Sequence, residues 1–358
     1  MKSTGTFTLG TLDGRLNRAQ TQIVIDRLGR AHPKAIYDMV TVADASAHRG
    51  RTRELYSTHS PAEVSFLQSQ LQEGVYQIVD LCAEDLRLPL PAGLAVAAVL
   101  KRDTPYDALL HKGGVIADDL SEGTRVGVLS RRAQAQISTL WPHLRTVLVQ
   151  GGTVTALTAF LQHDEVECLV IPAAVGERLG IQDLVSEIFF PEMMLPGAGQ
   201  GLIALLARAD DAQTIEMAAA IESSQSRQEM MGELAFRERI RSDQDLPVGV
   251  LAQANDDNLI ITGAIGSRSG CAPTQAVVKG DAGDASELGA RLAEELLQST
   301  SSLIDLLEAD FPDGLPDDHA DPLEQEREPT LKEGVLEEIE AEDGEEDLDA
   351  YAPPRDDL

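Results

Sequence analysis

Apolar runs of strand length alternate with stretches of helical period through much of the chain. Phe7–Gly10 predicts a strand, and Leu16–Arg30, with Ile23 and Leu28 on one face, a helix. Ala35–Val42 predicts the next strand, and Pro61–Glu73 a helix with Val64, Leu67 and Leu71 at helical spacing and Pro61 in its first turn. Between them Ala43–His59, rich in charge and small polar residues, reads as a loop. Val75–Leu81 and Leu94–Leu100 are further strands. The pattern restarts at Tyr106 with a strand Arg125–Leu129, a helix Arg131–Leu140 capped by Ser130, and a strand Thr146–Gln150. A Gly151-Gly152 turn, a helix Thr153–Gln162, a strand Cys168–Pro172 and a helical Ala174–Leu179 complete it. Such alternation predicts α/β domains with parallel sheets, whose ligands lie at the carboxyl ends of the strands. Glu84 and Asp85, just beyond the end of Val75–Leu81, therefore stand at the edge of a cleft. The helix N-termini that follow two of the strands either form an anion-attracting lip or are ordinarily capped.

Leu195-Pro196-Gly197-Ala198-Gly199-Gln200-Gly201 places glycine at every second position before the apolar run Leu202–Ala207. Two readings of it stay open: a tight turn re-entering a core, or bare backbone against which a ligand lies. Beyond it Ala212–Arg241 predicts one long helix. Val248–Ala254 and Leu259–Ile265 predict a hairpin through Asn255–Asn258, with Gln275–Lys279 as a third strand. The helix Ala285–Leu307 follows, with Leu288, Leu292, Leu296 and Leu303 as its apolar stripe. Together these make a small α+β domain with a three-stranded antiparallel sheet.

Composition narrows the function classes. With 358 residues and 43% hydrophobic content, the chain is long enough for two or three domains with real cores. The formal net charge is −31, and residues 311–358 hold 19 Asp/Glu against 3 Lys/Arg. From residue 310 onward the prolines and acidic runs predict a disordered, solvating tail, with a transient helix near Leu331–Ile339 and a role in contacting a partner protein. So acidic a chain repels phosphate backbones and anionic lipid, which argues against nucleic-acid and membrane partners. No apolar run reaches membrane-spanning length, and the N-terminus lacks the pattern of a signal peptide, so the expected location is cytoplasmic. Cys82, Cys168 and Cys271 are widely separated and odd in number, which fits neither a disulfide framework nor a zinc site, and no metal site is expected.

Several stretches carry a resemblance in order and spacing. These are Asp85 with Leu90-Pro91-Ala92-Gly93-Leu94, then Lys101–Ala108, Gly127–Gln134 with Ser130-Arg131-Arg132, Arg178-Leu179-Gly180, Leu195–Gly201, Glu233-Leu234-Ala235-Phe236, and Leu246-Pro247-Val248-Gly249. Over roughly residues 5–305 the chain resembles the porphobilinogen deaminase, or hydroxymethylbilane synthase, family of tetrapyrrole biosynthesis. The resemblance implies two periplasmic-binding-protein-like, doubly wound α/β domains, 1–104 with 196–220 and 105–195. It also implies a small α+β domain, 221–309, before the tail at 310–358. It implies a transferase that condenses four porphobilinogen molecules into hydroxymethylbilane with loss of ammonia. In the family the reaction is primed by a dipyrromethane cofactor held by a thioether to a third-domain cysteine. Asp85 falls on the family's catalytic acid, Ser130 and Arg132 on cofactor-binding positions, and Arg178, Gly199 and Gln200 on substrate-binding positions.

The departures all weaken anion binding or primer attachment. Gln244 stands at the cofactor cysteine's place, and an amide cannot form that thioether. Glu84 replaces a lysine beside the acid, and two adjacent carboxyl groups raise one another's pKa and repel an acidic ligand. Thr11 and Asp13 stand where the N-terminal arginine loop is expected, and Ser60, Ala133, Gln150 and Ala156 replace other basic residues. The expectation is a family member, monomeric, with impaired chemistry and no covalent cofactor, using Asp85 on a small pyrrole ligand. The alternative is a non-catalytic relative that binds a ligand or a partner protein. A periplasmic solute-binding protein is disfavoured by the missing export signal. Cys82 in the first domain and Cys271 a hairpin away from Gln244 are the other thiols considered for attachment, Cys82 reading mainly as the end of a buried strand.

Overall fold

In chain order, β1 (Thr6–Leu12), α1 (Arg15–Ala31), β2 (Ile36–Val42), α2 (Pro61–Gln72), β3 (Ile78–Cys82) and β4 (Leu94–Val99) begin the first α/β domain. The second comprises β5 (Asp107–His111), β6 (Arg125–Val128), α3 (Arg131–Leu140), β7 (Arg145–Leu148), α4 (Gly152–Gln162), β8 (Cys168–Pro172), α5 (Ala173–Leu179) and β9 (Val185–Phe189). β10 (Ile203–Arg208) and α6 (Ala212–Ala218) return to the first. α7 (Ser224–Ile240), β11 (Val248–Asn255), β12 (Asn258–Ile265), β13 (Thr274–Asp281) and α8 (Ala285–Asp310) make the third. This computed structural model describes residues 5–42, 61–149, 152–162, 166–240, 247–266 and 273–310. The sequence-predicted loop 43–59 and the acidic tail beyond 310 lie outside the described residues, as do Ser60, Gln150, Gln244 and Cys271.

The two α/β domains share one plan. The first sheet has the order β2-β1-β3-β10-β4, the second β7-β6-β8-β5-β9. Neither sheet is wholly parallel, contrary to what strand–helix alternation predicts. β1 runs parallel to β2 and β3, but β10 lies antiparallel between β3 and β4. In the second sheet β6 runs parallel to β7 and β8, while β5 is antiparallel to β8 and β9. The cause is the double crossing: the chain leaves the first sheet after Val99 and comes back after Phe189. Each sheet therefore contains one strand running against the wound order. β5 and β9, short runs broken by polar residues, were not predicted.

The helix predicted over Ala212–Arg241 is interrupted. α6 gives way to a 3₁₀ turn at Ala219–Ile221, and α7 begins only at Ser224. Between them Glu222 is extended, Ser223 donates its N–H to the Val99 carbonyl at 2.8 Å, and Val99 N–H donates to Glu222 Oε2 at 2.7 Å. Helix propensity yields here to pairing with the edge of β4.

The third domain matches its predicted pattern. β11, β12 and β13 form an antiparallel meander, turning at Asp256, whose φ of 51° suits the two-residue hairpin. Leu288, Leu292 and Leu296 of α8 are buried against Phe236, Val250, Ile261 and Val278. Each such side chain contributes about 1.5–3 kcal/mol of burial.

Candidate active site

The predicted acid Asp85 closes a 3₁₀ turn, Ala83–Asp85, at the carboxyl end of β3, and it is buried. The turn is held from above by the glycine stretch: Ala83 N–H donates to the Leu202 carbonyl at 2.9 Å. Gly199 has φ +85°, and a Cβ on it would lie 2.7 Å from Ala83 C and 2.8 Å from Glu84 N. Gly201, at φ +79°, faces the carbonyls of Asp103 and Thr104, each 3.0 Å from where its Cβ would be. The two open readings of this stretch are thereby resolved for these two positions: they are bare because the chain's own crossing segments press on them. Gly197 differs, because its missing side chain opens toward polar groups. Its Cβ position lies 3.5 Å from Gln200 Oε1 and 3.8 Å from both Arg132 Nε and Glu84 Oε1.

The remaining predicted binding residues converge on the same crossing, but they are engaged by the chain itself. Ser130 caps α3, its Oγ accepting the Ala133 N–H at 2.9 Å. Arg132, in the first turn of that helix, donates to both Asp107 oxygens at 2.7 and 3.0 Å and to the Leu195 carbonyl at 2.8 Å. Gln200 is buried, donating to the Pro105 carbonyl at 2.8 Å and accepting the Gly197 N–H at 3.1 Å. Arg178, near the end of α5, reaches across to Asp103 at 3.0 Å, Gln20 Oε1 at 2.9 Å and Cys82 Sγ at 3.4 Å. Gly180 ends α5 in the left-handed conformation, φ +69°, the usual reason for glycine there. Cys82 is a buried thiol that donates to Gln20 Oε1 at 3.0 Å.

Three of the substituted positions have settings of different kinds. Ala156 is fully buried in an apolar cluster with Leu157, Phe160 and Ile171. Thr11 is buried, and Asp13 holds Arg18 at 2.5 Å on the exposed side of the β1–α1 turn.

Electrostatics of the floor centre on Glu84. Burial pushes its carboxyl up to about 8, Asp85 adds to the rise, and Arg178 and Arg132 oppose it. Near neutral pH this group therefore carries a proton much of the time and is a hydrogen-bond donor facing Gly197. Burial together with the neighbouring Arg87 lowers Arg237, on α7, to about 10. Among the described residues no group of three or more metal-ligating side chains occurs, and no helix is long and apolar enough to cross a membrane.

Sequence reasoning missed the acidic partners. Asp103, Asp107 and Glu233 each lie inside motifs that carried the resemblance, yet their roles were invisible until folding paired them with Arg178, Arg132 and Arg102. Gln20 and Arg237 carried no pattern that marked them.

Comparison with known proteins agrees with this architecture. Residues 7–216 match the family model described as porphobilinogen deaminase, dipyromethane cofactor binding domain. Residues 227–298 match that of the porphobilinogen deaminase C-terminal domain. A porphobilinogen deaminase from Roseiflexus sp. (strain RS-1) is 32% identical over 299 residues, covering 82% of this chain and 96% of the relative. Those of Roseiflexus castenholzii and Nostoc sp. are each 31% identical over 301 residues, covering 82% and 81% of this chain and 96% and 91% of theirs.

Proposed function

We propose that this chain, which belongs to the porphobilinogen deaminase family, keeps the family's cleft but not its covalently primed condensation. The family's reaction joins four porphobilinogen molecules into hydroxymethylbilane, and a highly carboxylated chain grows within the cleft. Holding such a chain calls for cations with free donors. The observation that carries the reading is the charge balance around Gly197: Arg132 and Arg178 are committed to Asp107 and Asp103, and the side chain added beside Asp85 is the carboxyl group of Glu84. A carboxylate brought into this floor would be desolvated next to two acids, at a penalty of several kcal/mol unless it is paired.

The residues described do not fit a dipyrromethane held through its acidic side chains. Gln244, at the position the family uses for the thioether, adds a chemical objection independent of geometry. What this cleft presents is Asp85 beside the proton-bearing Glu84. That set suits a pyrrole N–H or an amine better than an array of carboxylates. The chain is thus read as a ligand-binding relative of the enzyme, in a soluble setting, with the acidic tail as a contact for a partner protein.

The reading is tested by intact-mass measurement of the purified full chain and by incubation with porphobilinogen. The expected result is the unmodified mass and no uroporphyrin, with a decarboxylated pyrrole amine binding more tightly than porphobilinogen in calorimetry. A mass gain of two pyrrole rings, or turnover of porphobilinogen, would overturn it.

A further inference from the structure

α7 presents two side chains one turn apart that hold the two halves of the cleft floor. Glu233, fully buried, accepts the Gly199 N–H at 2.7 Å and the Ala252 N–H at 2.8 Å. It also takes both ends of the Arg102 guanidinium, at 2.6 and 3.1 Å. Arg237 donates through Nη1 to the Glu84 carbonyl at 2.8 Å and through Nη2 to the carbonyl of Leu86. Those two carbonyls bracket Asp85. Residues four apart share a helix face, so one face of α7 holds the glycine turn and the carboxylate turn together. The two turns already touch through Gly199.

The guanidinium is an expensive choice for this place. Its Nε is buried with no hydrogen-bond partner among the described residues. An apolar side chain would fill the same volume without desolvating a charge. What an apolar side chain lacks is a fork that reaches two carbonyls at once. In sequence, α7 ends at Ile240, shortly before Gln244.

We propose that Arg237 is a positioning residue: from the third domain it fixes the backbone on either side of Asp85 and so sets where that carboxylate stands in the cleft. The inference rests on the reading of this cleft as the functional site. Any change in how the third domain sits is passed to Asp85 through Arg237. The charged groups acting on Glu84 are Asp85, Arg178 from α5, Arg132 from α3 and Asp107 from β5, and those acting on Arg237 are Arg87, Glu238, Glu84 and Asp85; Arg87 Nη1 also donates to the Glu84 and Leu86 carbonyls, at 3.1 and 3.4 Å.

The test is carboxyl-carbon NMR of Glu84 and Asp85 in the ligand-free full chain, assigned with Glu84→Gln and Asp85→Asn. Arg237→Gln removes the charge and the fork; it is expected to move both carboxyl resonances and to raise the Glu84 titration midpoint by about one pH unit. Arg237→Lys, which keeps the charge and one carbonyl bond, is expected to restore most of the midpoint but not the shifts. Unchanged resonances and midpoint in Arg237→Gln overturn the proposal. If that variant does not fold, Arg237→Lys decides alone. Its Glu84 and Asp85 shifts are then expected to move while Val250 and Ile261 of the third sheet stay in place, and stationary carboxyl shifts overturn the proposal. The measurement needs neither primer nor turnover, so its failure is distinguishable from failure of the mass and turnover assays.

Discussion

Arg132 binds both oxygens of Asp107, at 2.7 and 3.0 Å, where the first crossing segment enters the second sheet. The same guanidinium holds the Leu195 carbonyl of the returning segment at 2.8 Å, so one side chain ties the two crossings together. Both partners are nearly excluded from solvent, with side-chain exposures of 8% and 2%. Removing one member of such a pair strands the other charge and costs about 3–5 kcal/mol, whereas replacing both with apolar residues is close to neutral. Arg132→Met is therefore expected to lower the urea midpoint strongly, and Arg132→Met with Asp107→Leu to recover much of the loss. Equal losses in the single and double variants would show that the pair is not coupled.

Gly199 and Gly93 offer a matched contrast. Both have positive φ, +85° and +84°, but a Cβ at Gly199 meets the Ala83–Glu84 backbone, and at Gly93 nothing lies within 4 Å. Gly93→Ala is expected to cost about 1–2 kcal/mol, the price of the left-handed conformation alone. Gly199→Ala adds a backbone clash that no side-chain rotation relieves, and it should displace the Asp85 turn as well. Thermal unfolding of the two variants side by side checks the order; equal melting temperatures would contradict the packing assigned to Gly199.

The Glu84 carboxyl gives stability a pH dependence of definite sign. Its folded pKa, about 8, lies above the ordinary carboxylate value, so the folded state keeps a proton that the unfolded chain releases. The contribution is complete below the ordinary carboxylate range and is lost as pH rises toward about 8. Urea midpoints are expected to fall across that window in the native chain and to fall less in Glu84→Gln. The same slope in both proteins would remove Glu84 as the cause.

If the charge balance of the cleft blocks priming as proposed, a thiol at position 244 should not by itself allow a primer to attach. Gln244→Cys supplies an attachment atom but leaves Glu84 beside Asp85, and Arg132 and Arg178 still paired with Asp107 and Asp103. The expected mass after incubation with porphobilinogen is that of the unmodified variant. A two-ring adduct on that single substitution would falsify the view that the cleft's charge balance, and not only Gln244, blocks priming.

Much of the fold was legible because burial imposes a period on the sequence. α1, α2, α3 and the strands of the third sheet fall close to their predicted places, and Ser130 is the cap that its position suggested. β5 and β9 escaped because each is five residues long and carries polar positions within a sheet. The break before α7 escaped because Glu222 and Ser223 are committed to Val99, more than a hundred residues away, and no local signal reports such a partner. The candidate site was legible as a set of motifs, but not as the pairings among them.

The sequence by itself determined the family, the three-part organisation and the positions that depart from the family's motifs, because residue identity at Glu84, Gln244 and Ala156 is a matter of composition and order. Only the tertiary structure decided what the retained residues do. Arg132 and Arg178 look like anion binders when read along the chain; folded, they face Asp107 and Asp103. Along the chain Gly199 and Gly201 read either as a tight turn or as bare backbone for a ligand, and in three dimensions they make room for the chain's own crossings. The reason is that charge pairing and close approach depend on distance in space. A double crossing between two sheets brings together segments that are far apart in the linear order.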